Sequence, residues 1–139
     1  VSCEFIYFQN PKVAAAVIVT HGDQIILLRR SIEPGFGKWV FPGGYVDIGE
    51  VVEEAARREA REEACVEVEI DGLLNVYSYE DRPVVVIVYA GRVVAGEPGA
   101  GDECSEMQLF EPHEIPWDEL AFPSTRDALR EFLARRENR

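Results

Sequence analysis

Residues 44–66 read GYVDIGEVVEEAARREAREEACV. Ala, Glu and Arg dominate it, all strong helix formers, so a helix is expected over about Glu50–Ala64. At about 100° per residue, Val52, Ala55, Ala56, Glu59, Ala60 and Glu63 share one face. The first two turns of that face are apolar. The last turn carries Glu59 and Glu63, with Glu62 flanking them. Like charges four residues apart repel, and a core-facing carboxylate is costly unless paired. Two readings are open from the helix alone. One is a solvated face laced by ion pairs, for which Glu53–Arg57 and Glu54–Arg58 are well spaced. The other is a cluster of hard oxygen ligands for Mg²⁺ or Mn²⁺, whose charge would remove the repulsion and face a phosphate.

Just ahead of this stretch, Pro42-Gly43-Gly44 sets bare backbone beside the acidic end. Glycine there lets the chain approach a ligand closely or turn a carbonyl toward a metal. Residues 13–20 (VAAAVIVT) read as a buried strand, residues 24–30 (QIILLRR) as its hairpin partner across His21-Gly22-Asp23, and Trp39–Phe41 as a short strand. Further strands are expected at about 66–70, 73–79, 83–94 and 107–111. Residues 95–104 (AGEPGAGDEC) read as an acidic loop, and Ser124 as the cap of a last helix over about 125–136. Strands and helices mix along one chain with hairpin-type links, which predicts an α+β fold with a mixed sheet covered by helices.

The 139 residues make one domain of ordinary size. With 26 acidic and 14 basic residues the net charge is −12. That surface repels a phosphate backbone and anionic lipid, so nucleic-acid and membrane partners are excluded as general binding modes. A phosphate-bearing substrate needs local neutralisation, and a divalent cation supplies it. No apolar run approaches the ~20 residues of a membrane span. Cys3, Cys65 and Cys104 are odd in number with no close pair, which argues against a disulfide framework and for a reducing, cytoplasmic setting. The chain opens on Val1 rather than Met, which points to a processed or missing start. Neither His21 nor His113 has a metal-ligand pattern around it, and both are expected at the surface.

Residues 44–66 also resemble the box of the Nudix hydrolases, G-x5-E-x7-R-E-U-x-E-E-x-G-U with U a bulky apolar residue. Gly44, Glu50, Arg58, Glu59, Glu62, Glu63 and Val66 fall in register. Two positions depart. Ala60 replaces a larger aliphatic residue. Cys65 replaces the glycine that ends the helix in a left-handed conformation, where a β-carbon costs ~1–2 kcal/mol, so the helix is expected to end differently here. Cys65 reads as a small apolar residue, not a nucleophile. The likeness extends to Asn10-Pro11-Lys12, Ile32-Glu33-Pro34, the Trp39 segment and residues 120–124. These resemble a branch acting on ADP-ribose or dinucleotides, with plant relatives that hydrolyse FAD. Some members carry a zinc ribbon ahead of the catalytic domain. Residues 1–12 are accordingly read as an N-terminal segment, with Cys3 where such a ribbon's last cysteine would stand, and residues 13–139 as the hydrolase domain.

The resemblance implies an α/β/α sandwich and hydrolysis of a nucleoside diphosphate derivative by water attack on phosphorus. It implies Glu59, Glu62 and Glu63 as ligands of Mg²⁺ (Mn²⁺ substituting), joined by the Gly43 carbonyl. Gly44, Glu50 and Arg58 are structural supports, Arg58 by a salt bridge that orients the glutamates. The base is expected from the 95–106 loop, Glu103 first and Glu106 second, with Glu62 as a further option. Adenine recognition wants an aromatic stack, for which Phe36, Trp39, Tyr45, Tyr79 and Phe122 are candidates. Arg29 or Arg30 is expected to hold a phosphate. Many relatives dimerise, so a homodimer is compatible. ADP-ribose or a related adenine dinucleotide is the leading substrate. FAD, NADH and oxidised nucleoside triphosphates are alternatives, NADH the weaker because residues 67–83 lack a Ser-Gln-Pro-Trp type motif. A silent nucleotide-sensing module is the rival from another class, and the intact carboxylates argue against it.

Overall fold

The computed structural model describes residues 10–137; Cys3 and its neighbours lie outside the described residues. The chain runs β1 (Lys12–His21), β2 (Gln24–Arg30), β3 (Trp39–Val40), β4 (Gly43–Tyr45), α1 (Val52–Ala64), β5 (Glu67–Tyr77), β6 (Val84–Ala95), β7 (Cys104–Phe110) and α2 (Pro123–Glu137). Two 3₁₀ turns, Pro112–Glu114 and Trp117–Glu119, precede α2.

β1 is the spine. Its apolar run is buried on both faces, as a central strand demands. Ala15, Val17 and Val19 join Ile26 and Leu28 beneath Ala55, Ala56, Ala60 and Ala64 of α1. Ala16 and Ile18 join Ile25 and Leu27 beneath Ala128, Leu129 and Phe132 of α2. Alternation along β1 and β2 thus fills two cores, and the layers are helix, sheet, helix. The sheet has the order β3-β2-β1-β6-β5, with β4 also paired to β1 and β7 to β2. β1 and β6 run parallel and the other pairs antiparallel, so the sheet is mixed.

Four expectations are corrected. The break at Asp71-Gly72 is no turn: residues 67–77 form one strand whose register to β6 shifts between Ile70 and Gly72 and again between Leu73 and Asn75. A bulge keeps pairing while bending the strand. The bare backbone of Pro42-Gly43-Gly44 is not all loop, since residues 43–45 form β4. Glycine carries no strand propensity, and the pairing of β4 with β1 supplies what its residues lack. Ser124 does not cap α2. The helix begins at Pro123, which needs no N–H in the first turn, and Ser124 and Thr125 are buried inside it.

The end of α1 is the fourth. Cys65 keeps the left-handed conformation, φ 64° and ψ 25°; its N–H donates to the Arg61 carbonyl and the Val66 N–H to the Ala60 carbonyl, which caps the helix. The helix therefore ends as a glycine would end it, with the strain of a β-carbon accepted. Cys65 is also exposed, not a buried apolar filler. His21 and His113 are exposed. No described helix is long and apolar enough to cross a membrane.

Candidate active site

The site is built where the last turns of α1 cross β4. In β4 the register sets Gly43 opposite Ala16 and Gly44 opposite Ala15. A β-carbon on Gly43 would stand 2.7 Å from the Ala16 side chain, and one on Gly44 would overlap the Glu59 carboxylate. Bare backbone at both positions lets the helix settle against the strand. The Gly43 N–H donates to Glu63 Oε1 at 2.8 Å. Glu59, buried at 8% exposure, stands on the same face as the buried alanines, as helical spacing requires.

Arg58 organises the acids around it. Its Nε donates to Glu50 Oε2 at 2.8 Å, and Nη2 donates to Glu50 Oε1 at 3.1 Å, a bidentate fork. Nη1 donates to Glu59 Oε2 at 2.8 Å and to Glu62 Oε1 at 3.2 Å. Nη2 also reaches the Tyr45 carbonyl at 3.0 Å. Glu50 lies just ahead of α1, where its carboxylate accepts the Asp47 N–H at 3.0 Å. The expected Glu54–Arg58 pair does not form. Glu54 joins Glu53 on Arg57, because Arg58 is drawn to the opposite side by a fuller set of acceptors.

These contacts separate the carboxyl groups electrostatically. The Arg58 hydrogen bond holds Glu50 below the usual carboxylate range. Burial pushes Glu59 up, against the pull of Arg58, and Glu62 and Glu103 push it further. Burial pushes Glu63 up to about 7; the Gly43 hydrogen bond and Arg30 oppose this, and Glu59 and Glu103 add to it. Glu59 and Glu63 thus carry charge that the protein only partly compensates.

A cleft of about 790 Å³ opens over this corner. Glu59, Glu62, Glu63, Glu103, Gly43 and Arg58 line it, together with Tyr79, Val84, Val86 and Phe122. Among the described residues no group of three His, Cys, Asp or Glu side chains stands ready to hold a metal ion. Arg58 occupies Glu59 and Glu62, and a backbone N–H takes one oxygen of Glu63. The donor set nevertheless fits a hard divalent cation: all donors are carboxylate oxygens, and the uncompensated charge on Glu59 and Glu63 is what a bound cation removes.

The candidates from other segments divide. Glu103 reaches the cleft, and its carbonyl accepts the Ser31 N–H at 3.1 Å. Glu106 stands outside it, opposite Arg29 in the β2–β7 register and 3.5 Å from that guanidinium. Arg30 faces in, its guanidinium 5.2 Å from the Phe122 ring and its Nε donating to the Pro34 carbonyl at 2.6 Å. Arg29 faces out, over Trp39 and bonded to the Gly37 carbonyl. Trp39 is a core residue, 6% exposed and edge-on to Phe110. Phe36 is exposed outside the cleft lining, whereas Tyr45 is exposed within it.

Three features escape sequence reasoning. Arg82 lines the cleft with no local pattern to mark it, and Ser124, expected only as a helix cap, lines it too. The 96–103 loop is fastened to α1 through Gly99 and Gly101; the two glycines two residues apart were its one visible signal.

A family model described as "NUDIX domain" matches residues 10–134. Over 119 residues the chain is 38% identical to an ADP-ribose pyrophosphatase of Methanocaldococcus jannaschii, covering 83% of this chain and 69% of that protein. It is 30% identical over 104 residues to a putative 8-oxo-dGTP diphosphatase of Bacillus subtilis, covering 74% of this chain and 68% of the other. The crystal structure of a NUDIX hydrolase from Nitrosomonas europaea superposes with a TM-score of 0.91 at 34% identity, over 99% of this chain and 78% of that one.

Proposed function

We propose that this chain, which belongs to the Nudix hydrolase family and is a pyrophosphatase of nucleoside diphosphate derivatives, acts on ADP-ribose or a closely related adenine dinucleotide. The observation that carries the site is the convergence of Glu59, Glu62, Glu63 and Glu103 on one cleft whose lining also holds Tyr79, Val84, Val86 and Phe122. The 38% identity to an ADP-ribose pyrophosphatase supports the substrate.

Nudix enzymes use a divalent metal, and we assign Mg²⁺ to Glu59, Glu62 and Glu63, with the Gly43 carbonyl beside them. Bound there, the ion supplies neutralisation of the diphosphate charge. Arg58 holds Glu59 and Glu62 in place, and the Gly43 N–H fixes Glu63. Arg30, also in the cleft lining, offers a guanidinium to a phosphate. Tyr45, Tyr79 and Phe122 are the aromatic side chains in the cleft lining available to the base or ribose. Glu103 accepts a proton from the attacking water. The new bond joins the water oxygen to one phosphorus, and the bond from that phosphorus to the bridging oxygen breaks. The products are AMP and ribose 5-phosphate.

Phosphate release, coupled to a phosphatase, tests this over ADP-ribose, FAD, NADH, diadenosine polyphosphates and nucleoside triphosphates, with Mg²⁺ or Mn²⁺ and with Glu63→Gln as control. Metal-dependent turnover led by ADP-ribose and lost in the variant is expected. Preference for an oxidised purine triphosphate, the activity named for the Bacillus subtilis relative, would overturn the substrate assignment. Nucleotide binding with no turnover of any compound would replace the enzyme by a sensor.

A further inference from the structure

We infer that residues 96–103 form a clamp that fastens Glu103 to the carboxylate helix, and that Gly101 is the positioning residue of that clamp. The inference rests on the reading of Glu103 as the proton acceptor. The last carbonyls of a helix have no partner within it. Here the loop supplies two. The Gly101 N–H donates to the Glu63 carbonyl at 2.8 Å, and the Gly99 N–H donates to the Ala64 carbonyl at 3.0 Å. The loop therefore docks on the backbone of the residue whose side chain faces the cleft.

From Gly101 the chain closes a tight turn, with the Cys104 N–H donating to the Gly101 carbonyl at 3.1 Å. Glu103 lies inside that turn, and the Ser31 N–H holds its carbonyl from the β2 side at 3.1 Å. Its place over the cleft follows from where Gly101 rests. Gly101 rests against the helix with no room to spare: a β-carbon there would overlap the Glu62 carbonyl oxygen and stand 3.0 Å from the Glu63 Cα. Those neighbours are helix backbone and do not yield. One methyl group at position 101 must lift the loop, and Glu103 with it. Glu59 and Glu63 keep their own supports, Arg58 and the Gly43 N–H.

The test compares the full chain with Gly101→Ala, Glu103→Gln and the double variant. ADP-ribose turnover, Mn²⁺ affinity by electron paramagnetic resonance, and amide hydrogen exchange over residues 96–106 are measured for each. Gly101→Ala is expected to lower kcat about 10- to 100-fold, with KM and Mn²⁺ affinity within about twofold. It should cost nothing further when Glu103 is already Gln, since residues acting as a unit are non-additive. Exchange in the loop should quicken about tenfold or more. Wild-type kcat in Gly101→Ala, a full multiplicative loss in the double variant, or wild-type kcat in Glu103→Gln overturns the clamp's catalytic role. If the wild-type chain hydrolyses no nucleotide, the proposed function fails on its own. Hydrogen exchange then decides the clamp: equal rates in wild type and Gly101→Ala overturn it.

Discussion

The Gly43 N–H donates to Oε1 of Glu63 across 2.8 Å, tying β4 to the last turn of α1 twenty residues later. That bond favours the ionised carboxylate, yet burial outweighs it, and the group titrates at about 7 against an ordinary value of 4.5. A side chain and its support are thus set against each other, and the imbalance is measurable.

Between about pH 4.5 and 7 the folded chain holds a proton on Glu63 that the unfolded chain has released. The stability this contributes is full below the unfolded value and is lost as pH rises through the folded one. Metal-free protein should therefore show a falling Tm from about pH 5 to about pH 8, and Glu63→Gln should flatten that part of the profile. Added Mg²⁺ should stabilise most above about pH 7, where the carboxylate is free of its proton. A wild-type Tm independent of pH over that range would refute the assignment.

Arg58 serves Glu50, Glu59, Glu62 and the Tyr45 carbonyl with one planar group. Lysine keeps the charge and loses the fork. Arg58→Lys should lower the denaturant midpoint, because the buried Glu59 loses part of its pairing. It should also lower kcat, and a lysine variant as stable and active as wild type would show that charge alone suffices.

Gly44 and Gly72 give opposite expectations for the same change. A β-carbon at Gly44 overlaps the Glu59 carboxylate, the far end of a flexible side chain, whereas nothing lies within 4 Å of one at Gly72. Gly44→Ala should therefore displace the carboxylate at small cost in Tm and lose most activity. Gly72→Ala should change neither by much. Equal kinetics in the two variants would remove Glu59 from the chemistry.

Cys65 caps α1 at φ 64°. Cys65→Gly removes the steric cost of a β-carbon there, offset in part by the greater freedom of glycine in the unfolded chain. A net gain of about 0.5–1 kcal/mol is expected by thermal or urea unfolding. Destabilisation would mean that the thiol makes a packing contribution larger than the strain.

Much of this molecule is readable along the chain. The helix face carrying Glu59 and Glu63 follows from spacing, since periodicity of neighbours decides which side chains share a face. The buried runs at 13–20 and 24–30 mark the central strands for the same reason: strands covered on both sides need unbroken apolar sequence. Box residues Arg58 and Glu50 are eight positions apart, and a single helix with its preceding turn brings them together.

Other choices needed the whole fold. Spacing allowed Arg58 to pair with Glu54, but its guanidinium bonds the Tyr45 carbonyl of β4 instead, and Glu54 is left to Arg57. Glu103 and Glu106 are both acids in one segment, and only the β2–β7 register, with its shift between Arg29 and Arg30, sends Glu106 to Arg29 and leaves Glu103 at the cleft. Trp39 and Phe122 are both aromatics near the site, but Trp39 is drawn into the core by Phe110. Local sequence determined the elements and the face each one presents, because those depend on residues a turn or a pleat apart. Tertiary packing alone decided which acid, which arginine and which ring meet in the cleft. Those meetings join distant residues, and close packing and strand register, not local preference, set their geometry.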